Sequence, residues 1–270
     1  MKHITIALLV LLQVRHATAQ ELFVVTEPAS NMPAKSAGLR MANYFARIDT
    51  TSTTSYHLMP ELMVGISKKF MVHVAGMFSN RSKGGIKYEG ISLYGKYRFL
   101  SLDQVQRHFR IAAFARWSHN NTFVHMHELN LVGHNSGYEW GLVATQLLHK
   151  VALSASGSYV QATDNGKNKF VYPGFNKAFN YSFSAGKLML PAKYKDYSQT
   201  NLNLMLELLG QINFRDGRYY TDIVPSLQLI INSQSRLDIG WRKQLNSTLH
   251  RTSGEVFLIK FEHNFFNVFK

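Results

Sequence analysis

A histidine and a serine two residues apart form the first candidate for chemistry in this chain. His134 and Ser136 stand where a long polar segment enters a segment of alternating apolar and polar residues. Residues two apart in a strand share a face, so the imidazole could serve as the base for a serine nucleophile. Their parity matches that of Tyr138 and Trp140. The pattern indicates ester hydrolysis, and a polar turn entering a strand is the structural alternative.

Histidines cluster in the segment before this serine. His119, His125, His127 and His134 fall in or beside it, and Glu128 is the nearby carboxylate. Imidazole is the commonest transition-metal ligand in proteins, so an alternative hypothesis is a metal site, and the competing interpretation is an ordinary surface loop. No other cofactor is predicted, because the sequence has no cysteine and no glycine-rich phosphate loop.

A second set of soft ligands lies earlier in the chain, on two predicted strands. These residues share one predicted face: His57, Met59, Met63, His73 and Met77. Thioether sulfur beside imidazole suits copper or silver ions. Methionine also fills gaps in packed interiors, and the sequence leaves both interpretations open.

These residues need strands to position them, and the end of the chain shows the pattern most clearly. From Glu255 to Phe269 an apolar row, with Phe257, Ile259 and Phe261, alternates with a row that becomes charged. A period of two places the rows on opposite faces of a strand. A last strand with an apolar outer row and a terminal aromatic residue is typical of a transmembrane β-barrel.

The same alternation recurs along the chain and predicts an all-β, antiparallel, up-and-down transmembrane barrel of about twelve strands. The predicted strands are 37–48, 55–67, 70–80, 88–100, 108–119, 135–148, 151–161, 178–190, 199–212, 219–232, 236–244 and 255–269. Short connections interleave with long polar ones, as periplasmic turns and outer loops do. Two turn-side connections, near 101–107 and 191–198, are longer than usual, and a helical turn could occupy them.

The start of the chain has the layout of a secretory signal. A basic start at Met1–His3 precedes an apolar run too short to span a bilayer as a helix, and Ala17-Thr18-Ala19 offers a cleavage site. We therefore predict a signal peptide over 1–19, a periplasmic tail or partial plug over 20–36, and the barrel over 37–270. The expected location is the bacterial outer membrane.

Strand parity also sorts the charged residues. It places seven cations and six anions inside the lumen, so the interior is nearly neutral. The candidate selectivity residues are Arg98, Arg110, Arg116, Glu139, Glu207, Arg236, Asp238 and Arg242. Enclosed charges must pair or stay hydrated, so the sequence allows either a closed, salt-bridged interior or a wet pore with opposed acidic and basic walls.

Composition points to the partners. The formal charge of +14 would suit nucleic acid, but an exported chain has little nucleic acid to meet. The 13% aromatic content suits girdles at the membrane interfaces. The expected partners are outer-membrane lipid and lipopolysaccharide, small and possibly anionic solutes, and the barrel-assembly machinery.

Three segments carry a resemblance to known proteins. The runs 130–139, 201–207 and 265–269 resemble those of outer-membrane β-barrel proteins of the Bacteroidota type, which are porin-like or transporter-like. The resemblance implies fold and location. Separately, the His134-x-Ser136 pair is similar to that of outer-membrane phospholipase A and lipid A deacylases, which would make Asn121 an orienting group.

The sequence therefore predicts a narrow outer-membrane channel or transporter for small solutes. The alternatives are a lipid hydrolase using Ser136 and His134, a metal-handling barrel, and a purely structural barrel.

Overall fold

The computed structural model describes residues 23–48, 53–81, 85–105, 107–123, 127–170, 172, 174–191 and 199–269. The predicted signal peptide and His125 lie outside these residues. In the described part of the chain, no helix is long and apolar enough to cross a membrane.

The described residues form twelve antiparallel strands in one closed barrel, in which each strand pairs with its sequence neighbours and β1 pairs with β12. The strands are β1 (Ser36–Ile48), β2 (Thr53–Gly65), β3 (Phe70–Ser79), β4 (Lys87–Gln104), β5 (Arg107–Asn120), β6 (Ser136–Leu148), β7 (Val151–Thr163), β8 (Lys177–Leu190), β9 (Asn201–Asn213), β10 (Tyr219–Ile231), β11 (Ser235–Ser247) and β12 (Glu255–Phe265). The predicted fold class is confirmed.

The two ends of the barrel differ. We call the end with the β2–β3, β6–β7 and β10–β11 connections the turn end, and the opposite end, with the long β5–β6 and β7–β8 connections, the loop end. In outer-membrane barrels the short turns face the periplasm and the long loops face outward.

Most predicted strand boundaries differ slightly from the observed ones, and the ends of β4 and β12 differ most. A helical turn was expected near 101–107, but β4 and β5 continue as strands until Gln104 pairs with Arg107. β12 ends at Phe265, because Asn267 turns the backbone to a φ of 56° and the Val268 amide donates to the Lys35 carbonyl. Most of the other long turn-side connection, 192–198, lies outside the described residues.

The outer face of the barrel is apolar. Large side chains on it include Trp117, Tyr138, Trp140, Leu142, Phe183, Leu204, Leu206, Phe257 and Phe261. The inner face carries buried polar side chains, among them Lys96, Glu207, Gln211 and Gln228. A closed ladder satisfies every strand amide and carbonyl without water, so this outward apolar belt places the barrel in a membrane.

We predict that an arginine in this belt is costly where the bilayer is thickest. Leu206, near the middle of β9, is 47% exposed. Leu206→Arg should lower the free energy of unfolding by about 2–4 kcal/mol, because the guanidinium would face hydrocarbon. Urea titration of the protein folded into vesicles measures this change.

Phe214 is the matched control, since it is 56% exposed and follows β9 at the loop end. Phe214→Arg should cost no more than about 1 kcal/mol, as at other interfacial positions. Equal losses in the two variants would contradict the assignment of the belt.

Candidate functional site: a lumen closed at both ends

Residues 23–35 lie inside the barrel at its turn end, and we call them the plug. The carboxylate of Glu207 on β9 accepts hydrogen bonds from three consecutive plug amides. The Val24 and Val25 amides donate to Oε1 at 2.9 and 2.8 Å, and the Thr26 amide donates to Oε2 at 2.9 Å. The Thr26 hydroxyl also donates to Oε2, at 2.7 Å. Hydrogen bonds to an ionised acceptor are stronger than neutral ones, so Glu207 is the anchor of the plug.

The plug also contacts strands on the other sides of the lumen. The Lys260 ammonium of β12 donates to the Val24 carbonyl at 2.7 Å. The Lys96 ammonium of β4 donates to the Ser30 carbonyl at 2.8 Å, and the Thr145 hydroxyl of β6 accepts from the Ala29 amide at 2.9 Å. Contacts with β4, β6, β9 and β12 mean that the plug crosses the lumen rather than lining one wall.

An arginine of β1 joins the plug to a network of charges on the wall. Arg40 forms ion pairs with Glu27 of the plug at 2.8 Å, with Glu61 of β2 at 3.0 Å and with Glu262 of β12 at 2.9 Å. Arg236 reaches the same Glu262 at 2.9 Å. Buried charges are costly unless paired, and Glu27 gives Arg40 a third carboxylate, so the network joins the plug to β1, β2 and β12.

At the loop end, residues 127–135 fold into the barrel, and we call them the inner loop. The Leu129 amide donates to Gln211 Oε1 at 2.9 Å, and Gln211 Nε2 donates back to the Leu129 carbonyl at 2.8 Å. Leu131 packs with Val160 of β7, whereas Val132 packs against a cluster formed by β1, β2 and β3. The inner loop therefore spans the lumen from one side to the other.

Ion pairs join the inner loop to β11 and to the connection between β11 and β12. The carboxylate of Glu128 pairs with Arg251 at 3.1 Å and with Arg242 at 3.4 Å. Asp222 of β10 pairs with the same two arginines, at 2.7 and 2.5 Å. Burial raises the pKa of Glu128, but Arg251 and Arg242 outweigh it and hold that pKa below its usual value.

Between the plug and the inner loop lies a cavity of about 220 Å³. That volume corresponds to roughly seven water molecules at their liquid density. Glu27 of the plug and Glu128 of the inner loop contribute to its boundary, and Arg116, Glu139 and Arg242 project from the wall. Its remaining lining combines aromatic rings, hydroxyls and aliphatic side chains, including Tyr94, Phe114, Tyr220, Ser156, Ser158, Ser182, Val25, Leu129, Leu131, Val132, Val160 and Leu209.

The candidate selectivity residues separate by position. Arg116, Glu139 and Arg242 line the cavity, where Arg116 Nε lies 3.2 Å from Glu139 Oε2. Glu207 anchors the plug. These four residues therefore have different structural surroundings from the remaining four.

The remaining four lie near the turn end. Arg110 donates to the Ser30 hydroxyl of the plug at 2.8 Å. Arg236 and Asp238 form a buried pair at 3.1 Å, and Arg98 donates to the Lys68 carbonyl in the β2–β3 turn at 2.7 Å. None of these four lines the large cavity as the described residues form it.

The serine and histidine do not form a hydrogen-bonded pair in the described contacts. The Ser136 hydroxyl donates to the Asn120 carbonyl at 3.0 Å and accepts from the Asn120 amide at 2.8 Å. His134 Nε2 lies 3.2 Å from the Glu128 carbonyl. Asn121 is exposed on the strand end, and its carbonyl accepts from Asn168. Ser136 thus connects the start of β6 to the end of β5, and His134 forms a hydrogen bond within the inner loop.

Ser136 has the parity of Tyr138 and Trp140, which face the outside of the barrel, but Ser136 itself is buried and only 2% exposed. Gly137 adopts a φ of 147° and breaks the strict alternation. A Cβ at this position would lie 2.1 Å from the Gln161 carbonyl oxygen, so only glycine fits. Parity counted across residue 137 therefore assigned Ser136 to the wrong face.

The histidines of the β5–β6 connection are dispersed. His119 is exposed and stacks on Trp117 with ring centres 6.3 Å apart. His127 stacks on Phe175 at 5.0 Å, while His134 is buried against Glu128. Among the residues that the structure describes, no three His, Cys, Asp or Glu side chains gather in a possible metal site.

Several residues of the site had no counterpart in the sequence interpretation. Arg40, Glu27 and Arg251 form its main ion pairs, and Leu129 and Leu131 carry the inner loop. The apolar residues Leu129, Leu131 and Val132 in this mostly polar loop were the available signal that the loop folds into the barrel. The partners of Arg40 lie up to 222 residues away in sequence, so no local pattern reveals them.

Comparison with known proteins supports the fold. An outer-membrane channel from Pseudomonas putida F1 aligns over 90% of this chain and 100% of its own, with a TM-score of 0.59 and 12% identity. The NanC porin aligns over 84% and 98%, with a TM-score of 0.49 and 9% identity. No protein-family model matches the sequence, and no curated protein matches it significantly. The chain is thus similar in fold to outer-membrane barrels, while the Bacteroidota-type resemblance stays a prediction.

We predict that acid loosens the inner loop. Burial, followed by Arg81, lowers the pKa of His134 to about 4, and the arginines depress that of Glu128. Groups whose folded pKa is lowered stabilise the fold above their unfolded pKa, about 6.5 for histidine and 4.3 for glutamate. That stabilisation is lost as pH falls towards the folded value. Amide protection of 127–135 should therefore decrease from pH 6.5 to pH 4.

Hydrogen exchange expressed as protection factors measures this change, because those factors remove the intrinsic pH dependence of exchange. The Gln211-bonded Leu129 amide is the reporter, and β9 amides are the internal reference. His134→Gln should flatten the response above pH 4.5. A response as steep as that of the unmodified chain would exclude His134 as its source.

Proposed function

We propose that the protein is a gated outer-membrane channel for small polar solutes. The observation that carries this proposal is the cavity of about 220 Å³ between the plug and the inner loop inside the barrel, which is lined by charged, hydroxyl, aromatic and aliphatic side chains. A cavity lined by paired charges, hydroxyls and aromatic rings has the mixture of groups that orients a small polar molecule. A purely structural barrel of this width would not need such a compartment.

The two closing segments are suited to displacement. Neither residues 23–35 nor 127–135 belong to any strand, so the barrel ladder persists when they move. Both are fixed by side-chain hydrogen bonds and ion pairs, which water can replace. Twelve strands lie between the small barrels filled by side chains and the open porins in width, so displacement would leave a water-filled path.

The charges of the cavity support a class of solute. Its walls carry the carboxylates of Glu27, Glu128 and Glu139 and the guanidiniums of Arg116 and Arg242. This near balance of three anions and two cations favours zwitterionic or uncharged polar solutes over strongly anionic ones. The Pseudomonas putida neighbour is itself named a channel, which agrees with the proposed function.

The proposal also includes two partners in the membrane, lipopolysaccharide and the barrel-assembly machinery. Exposed lysines at the loop end, such as Lys87 and Lys167, suit the phosphates of lipopolysaccharide. The alternating β12 with its outward Phe257, Phe261 and Phe265 is the segment that we expect the barrel-assembly machinery to bind. Both partners are part of this proposal.

We predict that Glu207→Gln opens the channel. The amide NH₂ would replace one acceptor oxygen and face a plug N–H, and the charge that strengthens the other bonds would be lost. A charged hydrogen bond contributes about 1.5–3 kcal/mol and a neutral one about 1 kcal/mol, so the open population should rise on the order of tenfold. Planar-bilayer recording of the refolded barrel measures this as open probability.

The matched control is Glu255→Gln, a glutamate outside the lumen whose carboxylate accepts from Trp241. It should leave the conductance unchanged, and heat-modified gel migration should show both variants folded. If Glu207→Gln folds and conducts as the unmodified protein does, the plug does not gate the lumen.

We predict that Arg116→Gln shifts ion selectivity towards cations. The substitution removes one of two cavity guanidiniums and leaves Glu139 with its Ser158 and Asn180 donors. The reversal potential in a salt gradient, measured in the Glu207→Gln background, should move in the cation-selective direction. Arg98→Gln at the turn-end rim is the control. An unchanged reversal potential after Arg116→Gln would place the conducting path elsewhere.

A further inference from the structure

A second, smaller cavity lies at the turn end, between the plug and β1–β3. Its volume is about 30 Å³, enough for one water molecule or one metal ion. Met63, Met71 and His73 of the wall and Met32 of the plug contribute to its lining. Met63 and His73 are directly paired across β2 and β3. Met71 precedes His73 by two residues on the same inward face.

His73 presents an unused nitrogen. The residue is 3% exposed, and its Nδ1 lies 2.9 Å from Glu61 Oε1. A carboxylate accepts hydrogen bonds, so Nδ1 carries a hydrogen, and in the neutral imidazole Nε2 then bears a lone pair. Nε2 is buried and has no hydrogen-bond partner among the described residues. A histidine oriented by a carboxylate through one nitrogen is the usual arrangement of a metal ligand.

The methionines converge on the same place. A Cβ built on Gly38 would lie 2.8 Å from the Met63 methyl and 3.0 Å from the Met32 methyl, so the ends of these two side chains meet above this glycine. Met63 and Met71 are 1% and 2% exposed. Thioether sulfur selects soft ions such as Cu(I) and Ag(I) over hard divalent cations.

The surrounding charge suits a monovalent cation. Glu27 and Glu262 line the cavity with Arg40, Glu61 holds His73, and Lys96 Nζ lies 3.9 Å from Glu27. Arg236 also pairs with Glu262, at 2.9 Å, so each of these carboxylates already has a cationic or imidazole partner. A buried site of this kind tolerates a singly charged ion better than a divalent one.

We propose that His73, Met63, Met71 and Met32 form a binding site for Cu(I) or Ag(I). Since Met32 belongs to the plug and the other three belong to the wall, a bound ion joins the plug to the barrel. Ion binding at this site does not depend on the proposed channel function. The further inference that a bound ion keeps the lumen closed rests on the proposed gating.

Titration calorimetry of the refolded protein with silver nitrate in chloride-free buffer tests the site. One equivalent should bind, and X-ray absorption should show sulfur and nitrogen neighbours. Met71→Leu and Met63→Leu keep the volume and remove the sulfur. Each substitution should weaken silver binding by about tenfold or more. Removing a residue that only hydrogen-bonds to a metal ligand already lowers metal affinity about 10–100-fold, and these substitutions remove a ligand itself.

Met205→Leu is the matched control, because Met205 is buried and packs against Val24 of the plug in a different cluster. It should bind silver as the unmodified chain does. Absence of binding would mean that water fills the cavity, and equal weakening in all three variants would mean adventitious binding. Either result overturns the proposal. If silver binds but does not lower the open probability in planar bilayers, only the proposed role of the ion in gating is refuted.

Discussion

The buried carboxylate of Glu207 is the interaction on which the closed lumen depends. A charge in the middle of β9 is costly to bury unless donors surround it, and the neighbouring strands supply little beyond Ser184, whose hydroxyl lies 3.4 Å away. Three plug amides and the Thr26 hydroxyl supply the rest. The plug therefore satisfies a requirement that the barrel wall creates. Glu27 adds a further ion pair to Arg40, which Glu61 and Glu262 of the wall already pair.

Membrane physics explains why the wall creates such requirements. The outer face must be apolar and the strand ladder must close, so the polar side chains in the membrane-spanning part of the strands are directed mainly inward. Twelve strands enclose more space than those side chains fill. The plug and the inner loop occupy the remainder, and each brings one carboxylate to a cluster of arginines. Filling and charge neutralisation are thus achieved by the same two segments.

The sequence predicted what depends on periodicity and missed what depends on distant contacts. Alternation placed Glu207, Arg110 and Arg116 on the inner face and located all twelve strands to within a few residues. It assigned Glu207 to selectivity, since nothing local shows that Val24, 183 residues away, donates to it. Counting by twos also failed beside Gly137, a strand residue with a φ of 147°, where Ser136 is buried although it has the parity of exposed Tyr138.

The charge networks also determine what an open state requires. Moving the inner loop alone would separate Glu128 from Arg251 and Arg242, and moving the plug alone would separate Glu27 from Arg40. In a dry interior either step leaves unpaired charge, which costs several kcal/mol per ion. Water entering with the displaced segment hydrates both partners and removes that cost. Opening and wetting are therefore one event. The cavity already present between the segments is where that water would collect, because the charged side chains of Arg116, Glu139 and Arg242 line it from the wall.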